Sequence, residues 1–382
     1  MNEDTRLWIR ESLDAARVSG DPVFAAARAA LRDAAAEALR VAPTSVTDKA
    51  TPAPSGDPRD YRSIGPYWWP NPDTADGLPY VRRDGEVNPE RYADNSERLK
   101  RVESAVTTLG LAAWLFAEES YAAHAAALLR AWFLDPDTGM NPHLEYAQAI
   151  PGICEGRDIG VIDTHRLPEM LDAVCLLHEA FPQTWSDGDH TRLRAWFSAL
   201  LDWLLTSEKG RGESGQHNNH GTWYDVQAAY YARFTGRDGV ARSVLAAAAE
   251  RRIRAHISED GAQPHELART RSLSYSAMNL HGLFDLATLA EPLGIDLWGV
   301  GGETEKEPLL SRALRYLWDR ADDWQQPQIV PVDARDLLLS HILRGARVWP
   351  GTGHRELARE IGPAGHRAFL IYAPCGAPPV PA

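Results

Sequence analysis

The sequence predicts an all-α protein, an α/α barrel (toroid) of antiparallel helix pairs with long functional loops. Helical periodicity recurs in about ten segments and is sustained from residue 94 onward, whereas strand-like alternation is scarce. Short links, often with Gly or Pro, join these segments, which favours antiparallel helix pairs. Such pairs can wind into a closed barrel. The sequence has no internal repeat of about 30–50 residues, which argues against a regular solenoid.

The helices can be placed in chain order. One is expected from Leu7 to Val18 and an Ala-rich one from Pro22 to Val41, with Pro43 ending the second. Polar residues at 94–97 can cap a third helix, which runs to about residue 116. Further helices are expected at 119–134, 165–181, 188–207, 220–235, 238–256, 272–291, 307–322 and 333–346. A little strand is expected in the long loops and at 368–372. All residues from 1 to 382 are assigned to one catalytic domain.

Two stretches show no helical periodicity. Residues 42–93 are rich in Pro and Gly, and an irregular stretch of this length in a compact domain is usually functional. Tyr67, Trp68 and Trp69 lie between prolines in this stretch, where the three rings could form a rigid wall for a sugar or pack over the helices. The tail, residues 374–382, holds four prolines and is expected to be extended or disordered.

The composition limits the class of protein. Apolar residues make up 44% of the chain, enough for a core, and no apolar run is long enough to cross a membrane. The net charge of −13 argues against nucleic acid as a partner, so a polyanionic substrate would have to meet basic residues focused in a cleft. The three cysteines lack CxxC spacing and are expected to be buried thiols. No signal peptide is visible, so the chain is expected in the cytoplasm, or outside the cell if a signal was removed.

Two polar clusters supply a carboxamide, an imidazole, a guanidinium and a phenol. They contain Asn218, Asn219, His220, Glu266, Arg269, Arg271 and Tyr275. This set suits β-elimination from a uronate. The carboxylate must be neutralised by an amide and a guanidinium, and the reaction needs a base for the C5 proton and an acid for the leaving O4. In mannuronate and glucuronate both groups lie on one face of the ring, so one tyrosine could serve twice. In guluronate they lie on opposite faces, and a second group such as His220 would take part.

Each cluster also has a purely structural interpretation. Asn219 could cap a helix with His220 facing solvent. Arg269 could form a surface ion pair with Glu266, and Tyr275 could pack in the core.

The second cluster is expected to span a loop and the first turn of a helix. Ser272 or Ser274 is a possible cap, which would leave Arg269 in the loop and Tyr275 in the helix. Arg271 is a second candidate for binding the carboxylate.

A metal site has only a weak signal. His217 and His220 form an HxxH with Asp225 nearby in sequence, but an HExxH pattern is lacking. We therefore assign neither a metal nor a cofactor.

A polar loop at 135–163, together with His165 just after it, offers further contacts to sugars. The candidates, taken as a group, are His143, Tyr146, Gln148, Arg157, Asp163 and His165.

Four motifs resemble the alginate lyase superfamily. They are Asn218-Asn219-His220-Gly221, the Arg-x-Arg-Ser-Leu-Ser-Tyr run ending at Tyr275, Tyr67-Trp68-Trp69-Pro70, and residues 141–152. The resemblance covers residues 55–300 and implies an α/α toroid that cleaves alginate or glucuronan. It implies Asn219 as carboxylate neutraliser, His220 as base or neutraliser, Arg269 as carboxylate binder and Tyr275 as acid or acid and base.

The polymer is less well defined than the reaction. In the poly-mannuronate lyases that the chain resembles, a bulky basic stretch follows the Asn-His pair, whereas Gly221-Thr222-Trp223 follows here. The arginine also lies one residue nearer the tyrosine than in those enzymes. The chain is more similar to the glucuronan and alginate lyase branch.

Two other functions remain open. A glycoside hydrolase acting on uronides would need two carboxylates flanking the bond, and Glu145, Glu155, Asp158 and Asp163 lack a convincing partner. A non-catalytic uronide-binding protein would bind without forming product. The expected partner in all three cases is an anionic polysaccharide or oligosaccharide, and the oligomeric state is not predicted.

Overall fold

The computed structural model describes residues 7–302, 306–350 and 366–373. The chain is mostly helical, with 62% of its residues in helix and 4% in strand. The α-helices are α1 (Arg10–Val18), α2 (Pro22–Ala38), α3 (Asn95–Phe116), α4 (Glu119–Leu129), α5 (Leu167–Ala180), α6 (Asp187–Thr206), α7 (Glu208–Ser214), α8 (Asn219–Phe234), α9 (Asp238–Ala248), α10 (Pro264–Leu267), α11 (Ser272–Ala290), α12 (Leu309–Arg320), α13 (Ala334–Val348) and α14 (Ala368–Tyr372). The tail at 374–382, with Cys375, lies outside the described residues.

The predicted helices are confirmed, since each expected range between residues 7 and 346 contains an α-helix. The helix α7 was not predicted because its sequence contains two glycines, which have low helix propensity. Its start is fixed instead by Ser207, whose Oγ accepts a hydrogen bond from the Gly210 N–H at 2.9 Å. The strand expected at 368–372 is wrong. This run of five buried residues is the helix α14, and periodicity cannot distinguish strand from helix in so short an apolar segment.

Among the described residues, four short strands lie in the long loops. They are β1 (Arg62–Ile64), β2 (Trp68–Trp69), β3 (Val81–Arg82) and β4 (Tyr146–Ala149). β1 pairs in parallel with β4, and β2 pairs antiparallel with β3. The start of α3 anchors β1, because Asp94 caps the helix through Ser96 N (2.7 Å) and also accepts a hydrogen bond from Ile64 N (2.8 Å).

The chain divides into two compact units. The first unit comprises Met1–Ala36, His217–Ala229 and Gly239–Ala382, and the second comprises Glu37–Gln216 and Tyr230–Asp238. In the second unit, a Cβ added to Gly110 of α3 would lie 2.8 Å from the Cβ of Ala173 on α5, so glycine permits this close helix contact. The single catalytic domain expected over the whole chain stays a prediction.

The first unit brings together the first part of α8, up to Ala229, and the helices α10 and α11. The helix α10 packs against α11. A Cβ added to Gly282 of α11 would lie 2.9 Å from Cγ2 of Thr222 on α8. Because these helices carry the polar clusters of the sequence, their packing determines which side chains meet.

None of the described helices combines the length and apolar character that crossing a membrane would require. Cys175 is buried as expected, whereas Cys154 is only half-buried, so that part of the cysteine prediction is wrong.

Candidate active site

The first turn of α8 presents the Asn-Asn-His motif. Asn218 precedes the helix, and its Oδ1 accepts a hydrogen bond from the His220 N–H at 3.1 Å, so Asn218 is the capping residue. Asn219 is the first helical residue and is buried, whereas His220 is half-buried. The capping interpretation therefore applies to Asn218 and not to Asn219.

Glu266 of α10 holds Asn219 at two points. The Asn219 backbone N–H donates to Oε1 of Glu266 at 2.6 Å, and its side-chain Nδ2 donates to Oε2 at 2.8 Å. Glu266 is only 1% exposed. The surface ion pair considered from the sequence is therefore wrong for Glu266, which is a buried clamp on the start of α8.

The environment of Glu266 combines burial with compensating donors. Burial raises the pKa of this carboxyl, and the hydrogen bonds from Asn219 and the charges of His220 and Arg269 oppose that rise. The carboxylate thus shares its surroundings with the other members of both polar clusters.

Arg269 and Tyr275 meet at the start of α11. The Arg269 N–H donates to the backbone oxygen of Glu266 at 3.0 Å. Its guanidinium carbon lies 4.0 Å from the centroid of the Tyr275 ring. Both side chains are half-buried, so each keeps some access to solvent.

The cap of α11 comes from a distant segment. Neither Ser272 nor Ser274 caps the helix, because Oε1 of Gln328 accepts from Leu273 N (3.1 Å) and Ser274 N (3.4 Å). Arg271 is the residue preceding the helix and forms a backbone bridge with Gln328. The expected serine cap is wrong, and no local signal in the sequence identifies Gln328.

A buried network of polar side chains connects these helices. The Thr222 hydroxyl donates to Oδ1 of Asn279 at 2.7 Å and lies 3.1 Å from Nδ1 of His256. Nδ2 of Asn279 donates to Oε1 of Gln263 at 2.8 Å. Burial lowers the pKa of His256 to about 3, so its imidazole is neutral at ordinary pH. The network ties α8 to α11 and to the residue that precedes α10.

The remaining candidate residues lie in the second unit. Trp68 and Trp69 are consecutive residues of β2, so their side chains leave the strand on opposite faces. The guanidinium carbon of Arg157 lies 5.9 Å from the centroid of the Trp68 ring, and that of Arg83 lies 5.0 Å from the centroid of the Trp69 ring. The prediction that the three rings form a single wall is therefore wrong for the two indoles, because they lie on opposite faces of β2. Tyr67 is half-buried, and its backbone oxygen accepts from Arg83 N at 2.8 Å.

The polar-loop candidates have different environments. The His143 ring lies 2.9 Å from Oδ1 of Asp60 and 6.4 Å, centroid to centroid, from the Tyr146 ring, and both rings are half-buried. His165 is half-buried, with Nδ1 at 2.7 Å from the Ile162 oxygen. Gln148, by contrast, is buried, and both ends of its amide are bonded within the protein.

Comparison with known protein families decides the identity. The profile of the family described as alginate lyase matches residues 45–326. The chain belongs to the alginate lyase family. As a family member, it is a polysaccharide lyase that acts on uronic acid polymers.

Solved structures agree with this assignment. An alginate lyase from Bacteroides ovatus is 36% identical in sequence, with a TM-score of 0.91 over 97% of this chain and 99% of that chain. Alginate lyase A1-III from Sphingomonas species A1 is 17% identical, with a TM-score of 0.54 over 98% of this chain and 99% of that chain, and shows likeness of fold alone. No curated protein gives a match. The predicted fold class, an all-α toroid, is confirmed.

Two of the carboxylates considered for a hydrolase, Glu145 and Asp163, are bonded to other side chains of the protein. Glu145 forms an ion pair with Lys209. Asp163 accepts hydrogen bonds from Tyr61 (3.1 Å), Ser63 (2.5 Å) and Gln148 (2.9 Å). Within the described ranges, no group of three or more His, Cys, Asp or Glu side chains could hold a metal ion.

Proposed function

We propose that the chain cleaves a β-1,4-linked polyuronate, glucuronan or polymannuronate, by β-elimination. Asn219, His220, Arg269 and Tyr275 are the proposed catalytic residues. The supporting observation is a continuous series of contacts: Glu266 receives the Asn219 amide (2.8 Å) and the Arg269 backbone N–H (3.0 Å). The Arg269 guanidinium in turn lies 4.0 Å from the Tyr275 ring centroid. The series joins an amide, a cation and a phenol, the groups that elimination requires.

The first step is neutralisation of the substrate carboxylate. The C5 proton of a uronate is weakly acidic because the neighbouring carboxylate is negative. An amide nitrogen carries two N–H groups, and Glu266 takes one from Asn219, which leaves one for the substrate. The Arg269 guanidinium would add a charge-assisted hydrogen bond. Both interactions strengthen as negative charge builds up on the carboxylate, so they stabilise the transition state.

Tyr275 is the proposed base and acid. Its phenolate oxygen removes the C5 proton, and the C–H electron pair forms the C4–C5 double bond. The C4–O4 bond breaks, and the leaving O4 takes the proton from Tyr275. The product carries a 4,5-unsaturated uronate at its new non-reducing end. A guanidinium against the ring face favours negative charge on the phenol oxygen during the transfer.

His220 has two possible functions in this scheme. On mannuronate or glucuronate it would assist in neutralising the carboxylate, since Tyr275 reaches both reacting groups from one face of the sugar. On guluronate it would have to be the base on the opposite face. The single tyrosine mechanism is the simpler, so glucuronan and polymannuronate are the proposed substrates.

Substitution of the tyrosine tests the proposal. We expect Tyr275→Phe to lose at least about 10²-fold in kcat, because it removes the group that transfers the proton. The measurement is the rise in near-UV absorbance from unsaturated ends on glucuronan, polymannuronate and polyguluronate. Tyr316→Phe is the matched control, since Arg320 stacks on Tyr316 at the same 4.0 Å in the same unit. Unchanged activity in Tyr275→Phe would remove Tyr275 from the mechanism.

The partner expected for this chain is an anionic polysaccharide or oligosaccharide. The net charge of −13 disfavours nucleic acid, and a cytoplasmic site of action stays a prediction.

A further inference from the structure

We propose that Arg157 and Trp68 of the second unit form a binding subsite for one uronate residue of the polymer. The sugar ring would stack on the Trp68 indole, and its carboxylate would bind the Arg157 guanidinium. This inference rests on the proposed polyuronate substrate, because it assigns the subsite to a sugar that bears a carboxylate.

Two hydrogen bonds fix the position of Arg157 and use only some of its N–H groups. Its Nε donates to the Gln148 backbone oxygen at 2.9 Å, and its Nη2 donates to Gln148 Oε1 at 2.8 Å. A guanidinium has five N–H groups, so these two bonds leave three for another acceptor. Those on Nη1 and the second on Nη2 form the end of the guanidinium fork, which matches the two oxygens of a carboxylate.

A neutral amide lies between Arg157 and the carboxylate of Asp163. Gln148 Nε2 donates to Asp163 Oδ1 at 2.9 Å, so the glutamine lies between the guanidinium and the carboxylate. Gln148 adopts a φ of +50°, an uncommon backbone conformation for a residue with a side chain. Its backbone N–H donates to Ser63 Oγ at 2.8 Å, which helps to hold this conformation.

The two most deeply buried arginines of the described chain are neutralised directly. Arg252 donates to Asp225 at 2.7 Å, and Arg344 donates to Asp285 at 2.8 Å. Arg157 has no such partner within ion-pair distance in the described ranges, and burial lowers the pKa of its guanidinium. A bound carboxylate would supply the missing counter-charge and offset that desolvation.

Gly65 brings the aromatic face to the arginine. A Cβ added to Gly65 would lie 2.7 Å from Nη2 of Arg157 and 2.7 Å from Cδ1 of Trp68. Any other residue here would therefore push the two groups away. Trp68 is also fixed by the β2–β3 pairing and by Asn88, whose Nδ2 donates to the Trp68 oxygen at 2.8 Å.

The pair has the chemistry of a uronate site. A pyranose ring presents C–H groups that pack on an aromatic plane, while the carboxylate at C6 requires a cation at the ring edge. A neutral sugar would use the indole alone and would leave the guanidinium unpaired. The subsite should therefore distinguish uronates from hexoses.

The test is the steady-state kinetics of Arg157→Met on the cleaved polymer. We expect KM to rise about 10- to 100-fold with little change in kcat, the loss expected for a hydrogen bond to a charged group. Arg157→Lys, which keeps the charge without the fork, should have an intermediate KM. Arg101→Met removes an exposed arginine of α3 in the same unit and should match the wild type.

Gly65→Ala is a second variant that changes no charge. Like Arg157→Met, it should raise KM, because the added methyl group displaces Arg157 and Trp68. Carboxyl-reduced oligosaccharides should bind the wild type and Arg157→Met equally in calorimetry, whereas uronate oligosaccharides should bind the wild type more tightly. Equal uronate binding, or a loss of kcat at unchanged KM, would overturn the subsite.

Failure of the proposed function gives a different result. If the wild type cleaved none of the polyuronates, the calorimetric comparison of uronate and reduced oligosaccharides would still test Arg157 directly. If Tyr275→Phe kept activity, the catalytic assignment would fail while the KM comparison remained valid.

Discussion

Single residues at this site gain their function from contacts that are distant in sequence. Asn219 and His220 can be identified from the sequence as chemical groups, because adjacent amides before an imidazole exceed what one cap needs. Their orientation cannot be predicted, since it depends on Glu266, which lies 47 residues away in the chain. The sequence suggested a surface ion pair for Glu266, and burial of the carboxylate reversed that interpretation.

Glu266→Gln tests the orientation of Asn219. The variant keeps an acceptor for the Asn219 backbone N–H but places an N–H₂ group opposite the Nδ2 donor, so the Asn219 amide should flip. Its oxygen would then face the substrate carboxylate. We expect kcat to fall about 10²-fold, as for loss of one oxyanion donor, with a small change in melting temperature. Activity and thermal unfolding are measured together.

Two further variants separate orientation from stability. Glu250→Gln, at an exposed glutamate of the same unit, should leave activity unchanged. The double variant Asn219→Asp with Glu266→Gln restores a donor opposite an acceptor, so it should regain any lost stability while remaining inactive. Recovery of activity in the double variant would contradict an amide donor at Asn219.

At the scale of elements, the existence of the long helices was predictable, whereas their termini were predictable only where the capping residue is local in sequence. Periodic apolar residues identified each long helix of the described ranges, because one face of each must be buried. The start of α8 followed from a local asparagine cap, whereas the start of α11 is capped by Gln328 from a segment that follows the next helix. Local sequence rules cannot detect such a contact. The short helix α14 was missed for the opposite reason, since five apolar residues do not define a period.

Gln328→Ala tests whether the distant cap positions Tyr275. Loss of the acceptor for Leu273 N and Ser274 N should destabilise the fold by about 0.5–2 kcal/mol, the usual cost of a lost cap. Because the first turn of α11 carries Tyr275, we also expect kcat to fall severalfold with KM nearly constant. Gln325→Ala, at an exposed glutamine three residues earlier, is the control. Equal kinetics in the two variants would count against a positioning function for Gln328.

At the scale of the whole molecule, net charge and substrate charge have the same sign. A chain of net charge −13 acts on uronic acid polymers, so attraction must come from individual cations. The sequence predicted that requirement but not the residues that meet it. The sequence did not distinguish Arg157 from the other polar-loop candidates. Its lack of a direct acidic partner depends on Gln148, which lies between Arg157 and Asp163 in the folded protein.

The most direct test of the central claim is the mass of the products formed by the wild type on glucuronan and polymannuronate. β-Elimination predicts that the fragments with a new non-reducing end are unsaturated, and that each is lighter by one water molecule than the corresponding hydrolysis product. Oligosaccharides with the mass of fully hydrated uronates and no near-UV absorbance would contradict the account, and would return attention to the carboxylates of the second unit.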